Sequence, residues 1–146
     1  MLSNSCRYGI RAVIYLANQP VSGGKTGIKK ISSDLGLPMP FLAKILQQLA
    51  KHKILTSSKG PHGGFSLLRD ARKITLLDIV NTIDGYDTFT SCIMHNGSCE
   101  GVEKEGRHCP LHHDYEKSRK ELIKLFSNRT IHELVIKSKN PELITI

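Results

Sequence analysis

The chain has 146 residues, 39% of them apolar and 23% charged, with no tryptophan and a formal net charge of +8. That length suits one domain with an appendage and is enough to bury a hydrophobic core. No apolar run approaches the roughly 18 residues that span a bilayer. The N-terminal stretch, interrupted by Arg7, Arg11 and Asn18, does not read as a secretory signal, so a cytoplasmic protein with reduced thiols and no membrane partner is expected.

In chain order, Ile10, Val13, Ile14 and Ala17 recur at helical spacing and predict a first helix from about Ser5 to Asn18. Pro20, Gly23, Gly24 and Gly27 break it. Two short helices follow. Ile28, Ile31 and Leu35 form the buried side of the first, and Gly36 suits a left-handed helix end. Pro38 and Pro40 block direct continuation, and Pro40 fits the first turn of the second helix. Phe41, Leu42, Ile45, Leu46 and Leu49 make the buried stripe of that second helix. Lys44, Gln47, Gln48 and Lys51 occupy its opposite side. This is a helix-turn-helix presenting cations and amides, the groups that contact phosphates and base edges in a major groove. A plain αα-hairpin with a solvated face is the alternative.

The segment 54–70 alternates β-formers around Gly60-Pro61-His62-Gly63-Gly64. It predicts a β-hairpin with a glycine-rich tip directly after the helix-turn-helix, which is a wing. Charge distribution supports that reading. Residues 1–90 carry 12 Lys/Arg against 5 Asp/Glu, whereas residues 91–146 carry 9 against 8. Between Lys25 and Lys59 there are seven lysines and the single acid Asp34, a stripe suited to a polyanion such as double-stranded DNA. The expected contacts are Lys29, Pro40, Phe41, Lys44, Gln47, Gln48 and Lys51 from the helices, with Lys59, Gly60, His62 and Gly63 from the wing.

A short helix capped by Thr75, with Asp78 three residues on, comes next. After residue 90 the chain changes character. Residues 91–113 hold three of the four cysteines and four of the seven histidines. Clustered thiolates in a reduced compartment point to metal ligation, since soft ligands hold Fe–S clusters, Zn²⁺ or Cu(I). Cys109 precedes Pro110 and is expected to cap the next helix, where the helix dipole favours a thiolate. His112 and His113 fall in the turn beyond it, while His95 and His108 read as solvated loop residues. Zinc, a thiol redox switch and a loop with no specific chemistry are the alternatives to a cluster. The wide spacing, six residues between Cys92 and Cys99 and nine between Cys99 and Cys109, suits two irons better than one zinc. No Cys-x-x-Cys, His-Glu-x-x-His or phosphate-binding glycine loop is present, so neither an enzyme nor a small-molecule substrate is expected.

Beyond Pro110, Leu111, Tyr115, Leu122, Ile123 and Phe126 lie near one face of a long helix. A second copy of the same helix is the simplest cover for that face. A C2 homodimer also matches a two-fold DNA site. A last short helix capped by Thr130 precedes a loose tail. The reading gives a winged helix-turn-helix domain over 1–88, a cysteine-rich loop over 89–109, and a dimerisation helix with a C-terminal helix and tail over 110–146. The fold class is mainly α with a small β-hairpin.

The stretches "CRYGIRAVIYLA", "ISSDLGLPMPFLAKILQQLAKHKIL", "SSKGPHGGFSLLRD", "ITLLDIVNTIDG" and "TIHELV" occur here in a characteristic order. In this the chain resembles the bacterial winged-helix transcription factors related to IscR, NsrR and CymR, often called the Rrf family. The resemblance covers nearly the whole chain. It implies a dimeric DNA-binding regulator whose operator binding is set by an iron–sulfur cluster, usually [2Fe–2S], on Cys92, Cys99 and Cys109. In the IscR-like branch the fourth ligand is the histidine three residues after the last cysteine, which is His112 here. His113 and a residue from the partner subunit such as Cys6 stay open as alternatives. The chain departs from the family in its longer loop, and in Arg7 at a position where the nitric-oxide-sensing branch carries an acidic ligand. Ala43 also stands where some relatives have a glutamate that restricts operator choice. The resemblance leaves a metal-free or thiol-switch repressor as the runner-up.

Overall fold

A computed structural model describes residues 2–20, 24–98, 104, 106 and 109–138. Gly23, Cys99, His108 and the tail from residue 139, all invoked above, lie outside the described residues. Helix α1 spans Asn4–Ala17. The Ser3 hydroxyl caps it by accepting from the Cys6 amide at 3.0 Å, and Ser3 is itself held by Asp84, to which its amide donates at 2.9 Å. Helix α1 runs through the middle of the core. A Cβ at its Gly9 would stand 2.2 Å from Ile83 Cδ1, so the Ile83 side chain would have to shift to admit one.

Helices α2 (Ile28–Leu35) and α3 (Met39–Lys51) form the helix-turn-helix. Gly36 takes the left-handed conformation at φ 63°. Its amide and that of Leu37 close back on Ser33 and Ser32, and buried Leu37 completes a Schellman ending. The buried stripe of α3 is Leu42, Ile45, Leu46 and Leu49. Phe41 does not belong to it: at 63% exposure it sits on the outer side, one position off the stripe at 100° per residue.

Strands β1 (Leu55–Ser58) and β2 (Gly64–Leu67) pair antiparallel, with Leu55 opposite Leu67 and Ser58 opposite Gly64. Thr26 adds a short third edge by exchanging two 2.9 Å hydrogen bonds with Phe65. A 3-10 turn at Ala71–Lys73 leads into α4 (Leu76–Ile83), where Thr75 and Asp78 form the expected capping box. The short α5 (Asp87–Thr90) precedes the cysteine loop.

The long helix α6 spans His112–Asn128 and packs on α4. Its apolar residues divide between two sides. Tyr115, Ile123 and Phe126 turn inward, with Phe126 5.4 Å from the Phe89 ring, while Leu122 and Leu125 stay 44% and 47% exposed. The sequence reading put Leu122 and Phe126 on one face; inward-facing Arg119 hides the true seam from an apolar count. Helix α7 (Ile131–Lys137) carries a second capping box, Thr130 with Glu133. Thr75 and Thr130 pair, Leu76 N donates to Arg129 O, and Ile131 N donates to Ile74 O, each amide bond 2.9 Å. These contacts return α7 to the winged domain, and Ile131 is fully buried in its core beside Val13, Ile31, Leu46, Ile74 and Ile79. The core therefore draws on residues far apart in sequence. Burying each such side chain is worth about 1.5–3 kcal/mol. No helix among the described residues is long and apolar enough to cross a membrane.

Candidate nucleic-acid interface and metal-ligand loop

The outer side of α3 exposes Phe41, Lys44, Gln47 and Lys51, with Lys29 exposed on α2 and Pro40 exposed in the first turn of α3. Gln48 differs from the expectation. It is half-buried and its Nε2 donates to Thr82 O at 2.6 Å, so the amide ties α3 to α4 instead of facing outward. Lys30 is held by Asp34 at 2.8 Å, and Tyr15 donates to the same carboxylate at 2.6 Å. Those two hydrogen bonds, Lys30 first, hold Asp34 below its usual range. The lone acid of the basic stripe is thus matched to one lysine.

At the wing tip Lys59, Gly60 and His62 are exposed. Gly63 is required by packing: a Cβ there would meet Ser58 O at 2.4 Å.

The cysteine loop is built from a pinned turn. Ser91 and Ser98 pair as an antiparallel bridge, and Cys92 N donates to Gly97 O at 2.8 Å. Cys92 is buried with half-buried Cys109 packed on it. Its Sγ lies 3.5 Å from Nδ1 of His95. The Cys92 thiol is drawn down to about 6, chiefly by the backbone amide of Met94, then by the His95 side chain. The ligand atoms of Cys92, His95 and Cys109 all lie within 4.8 Å of one another. Two thiols and an imidazole at that separation fit a soft or borderline metal centre.

His95 is the residue sequence reading missed. The sequence alone suggests a solvated loop residue there, and the Cys-x-x-His spacing from Cys92 is the readable signal of the contact. His112 is not in the group of three; it lies in the first turn of α6 with its ring edge-on to His113 at 5.3 Å. Cys109 is not the helix cap either. His112 N donates to Cys109 O at 3.0 Å, and Leu111 at φ −94°, ψ 3° holds the third position of a type I turn with Pro110 second. A turn over residues 109–112 therefore forms first and α6 starts at His112. Cys6 is fully buried, and its thiol is pushed up to about 12 by burial and then by Asp84. It is enclosed within its own chain.

One further residue joins the loop to α6. Arg119 is buried, its Nη1 pairs with Glu116 at 2.9 Å, its Nη2 donates to Ser91 O at 3.2 Å, and its guanidinium lies 4.8 Å over the Tyr115 ring.

A helix-turn-helix, a hairpin wing set directly after it and a basic outer face define a winged-helix DNA-binding protein. The Rrf2 family model, described as an iron-dependent transcriptional regulator, matches residues 2–137, and the chain belongs to this family of transcriptional regulators. An HTH-type transcriptional regulator of Aquifex aeolicus (strain VF5) is 31% identical over 135 residues, covering 92% of this chain and 91% of that one. IscR of Klebsiella pneumoniae (strain 342) is 26% identical over 145 residues, covering 99% and 83%. Among solved structures, the global cysteine regulator CymR (YrzC) of B. subtilis matches with a TM-score of 0.74 at 20% identity, over 94% of this chain and 97% of that one. T. potens IscR matches with a TM-score of 0.70 at 24% identity, over 95% and 88%. Both structural likenesses concern the fold.

Proposed function

We propose that the chain is a cytoplasmic, homodimeric regulator whose operator affinity depends on a [2Fe–2S] cluster. The observation that carries this reading is the convergence of the Cys92, His95 and Cys109 ligand atoms within 4.8 Å, in a loop that Arg119 joins to α6. Cys92, Cys99 and Cys109 would hold the cluster, with a histidine completing the set. When bound, the cluster supplies one-electron chemistry and reactivity toward oxygen and nitric oxide. The chain's own part is mechanical. Cys92 and Cys109 approach from opposite ends of the loop, so their separation sets the position of the first turn of α6. Arg119 carries any shift of Ser91 into the same helix. If two copies pair through the exposed side of α6, that shift alters the spacing of their α3 helices.

In this reading Phe41, Lys44 and Gln47 face the major groove, while Pro40 sets the first turn of α3 against it. Lys29 and Lys51 meet phosphates, and Lys59, Gly60, His62 and Gly63 follow the backbone and minor groove. Anaerobic purification tests the cluster: iron, acid-labile sulfide and a visible spectrum should be found together, and exposure to oxygen or nitric oxide should change operator affinity. A colourless protein without iron or sulfide overturns it. Lys44→Ala should lower the slope of log K against log salt by about one; an unchanged slope removes Lys44 from the interface. A second reading, a metal-free thiol switch, is favoured by the packing of Cys109 on Cys92. An oxidant-dependent affinity in protein lacking iron would support it.

A further inference from the structure

We infer that His95, and not His112, supplies the nitrogen ligand of the centre anchored by Cys92 and Cys109. The inference rests on the reading above that this loop bears a metal centre. Three observations carry it. First, the Cys92 Sγ to His95 Nδ1 separation is 3.5 Å. A tetrahedral site with metal–sulfur and metal–nitrogen distances of about 2.3 and 2.0 Å places its donors about 3.5 Å apart. The pair therefore stands at the spacing that ligation needs, and serves as a hydrogen bond when no metal is bound.

Second, the backbone presents both donors from one pinned turn. The Ser91–Ser98 pairing and the Cys92 N to Gly97 O bond close it. His95 and Cys92 are thus held together by the turn itself, and neither has to be recruited from elsewhere. Third, the competing histidine lies outside the cluster of donors. The Cys109–His112 turn starts α6 at His112, and the ring of His112 faces His113. Among the described residues, half-buried His95 alone joins the two sulfurs within 4.8 Å.

The test uses the full chain with His95→Ala, His112→Ala and His95→Cys. In anaerobically prepared, reduced cluster protein, pulsed electron paramagnetic resonance reads nitrogen coupled to the centre. The expected result is a strongly coupled nitrogen in wild type and His112→Ala that is lost in His95→Ala. Persistence in His95→Ala, loss in His112→Ala, or no coupled nitrogen in wild type overturns the inference. A second arm uses Co²⁺ alone on metal-free protein, read by its thiolate-to-cobalt absorption. His95→Ala should weaken Co²⁺ binding by at least about tenfold and His112→Ala by less than about twofold. Equal weakening by both variants, unchanged affinity in His95→Ala, or no Co²⁺ binding by wild type overturns it. His95→Cys separates ligation from folding: it should restore Co²⁺ affinity with stronger thiolate absorption, and failure to do so in a folded protein counts against ligation. Iron and sulfide content decides the cluster reading independently, because the Co²⁺ arm needs no cluster.

Discussion

Arg119 shows how much one side chain can do at the junction of loop and helix. Its guanidinium is buried, and Glu116, the Ser91 carbonyl and the Tyr115 ring all contact it. Arg119→Gln removes the charge from one side of a pair that is largely shielded from water. The variant should lose about 1–3 kcal/mol of stability in urea denaturation, and the amides of residues 91–98 should exchange faster with deuterium. Unchanged exchange there would show that Arg119 does not hold the loop. Cys6 carries a different prediction. Its folded pKa of about 12 lies above the ordinary thiol value of 9.0. The neutral thiol therefore favours the fold at full strength below pH 9, and this contribution fades as pH rises toward 12. Between pH 9 and 11 wild type should lose more stability than Cys6→Ala. At pH 8 iodoacetamide should leave Cys6 of the folded protein unmodified, as mass spectrometry of the intact protein can check.

Among the elements, α3 ends on an unusual device. Lys53 adopts φ 59°, and the Ile54 amide closes back on Leu49 O at 3.0 Å, the same left-handed ending that Gly36 gives to α2. A non-glycine residue there costs about 1 kcal/mol in Cβ crowding. Lys53→Gly should raise thermal stability by about 0.5–1 kcal/mol, measured by the shift in Tm; a drop would mean the lysine stem packs favourably. Much of this level could be read in advance. The two capping boxes follow from Thr75 with Asp78 and Thr130 with Glu133, because capping depends on residues three apart. What could not be read was their mutual pairing between positions so far apart in sequence, which clips α7 onto the start of α4. Local chemistry specifies each cap, and only packing brings the caps together.

For the whole molecule, the outer side of α6 is the open question. Leu122 and Leu125 remain about half exposed there, whereas Phe126 is taken up by Phe89. Paired with a second copy, these leucines would leave water. Leu122→Asp combined with Leu125→Asp should shift the protein toward monomer in sedimentation velocity and weaken binding to a two-fold operator more than to a half-site. A double variant that remains dimeric would move the interface elsewhere. The basic side of the molecule lies on α2, α3 and the wing, far in sequence from this helix. The cysteine loop is joined to α6 by Arg119, and α6 packs on α4.

By itself the sequence determined the winged helix-turn-helix order, the turn at Gly36, the hairpin, both helix caps and the presence of a thiol-rich loop. All of these depend on apolar period, on the backbone freedom of glycine and proline, or on polar groups within a few residues of one another. Tertiary structure alone decided which side chains share a site. It turned Gln48 onto Thr82, sealed Cys6 in the core and set Cys109 against Cys92. Those outcomes depend on neighbours distant in sequence and on how a loop folds against a helix, which residue spacing does not encode.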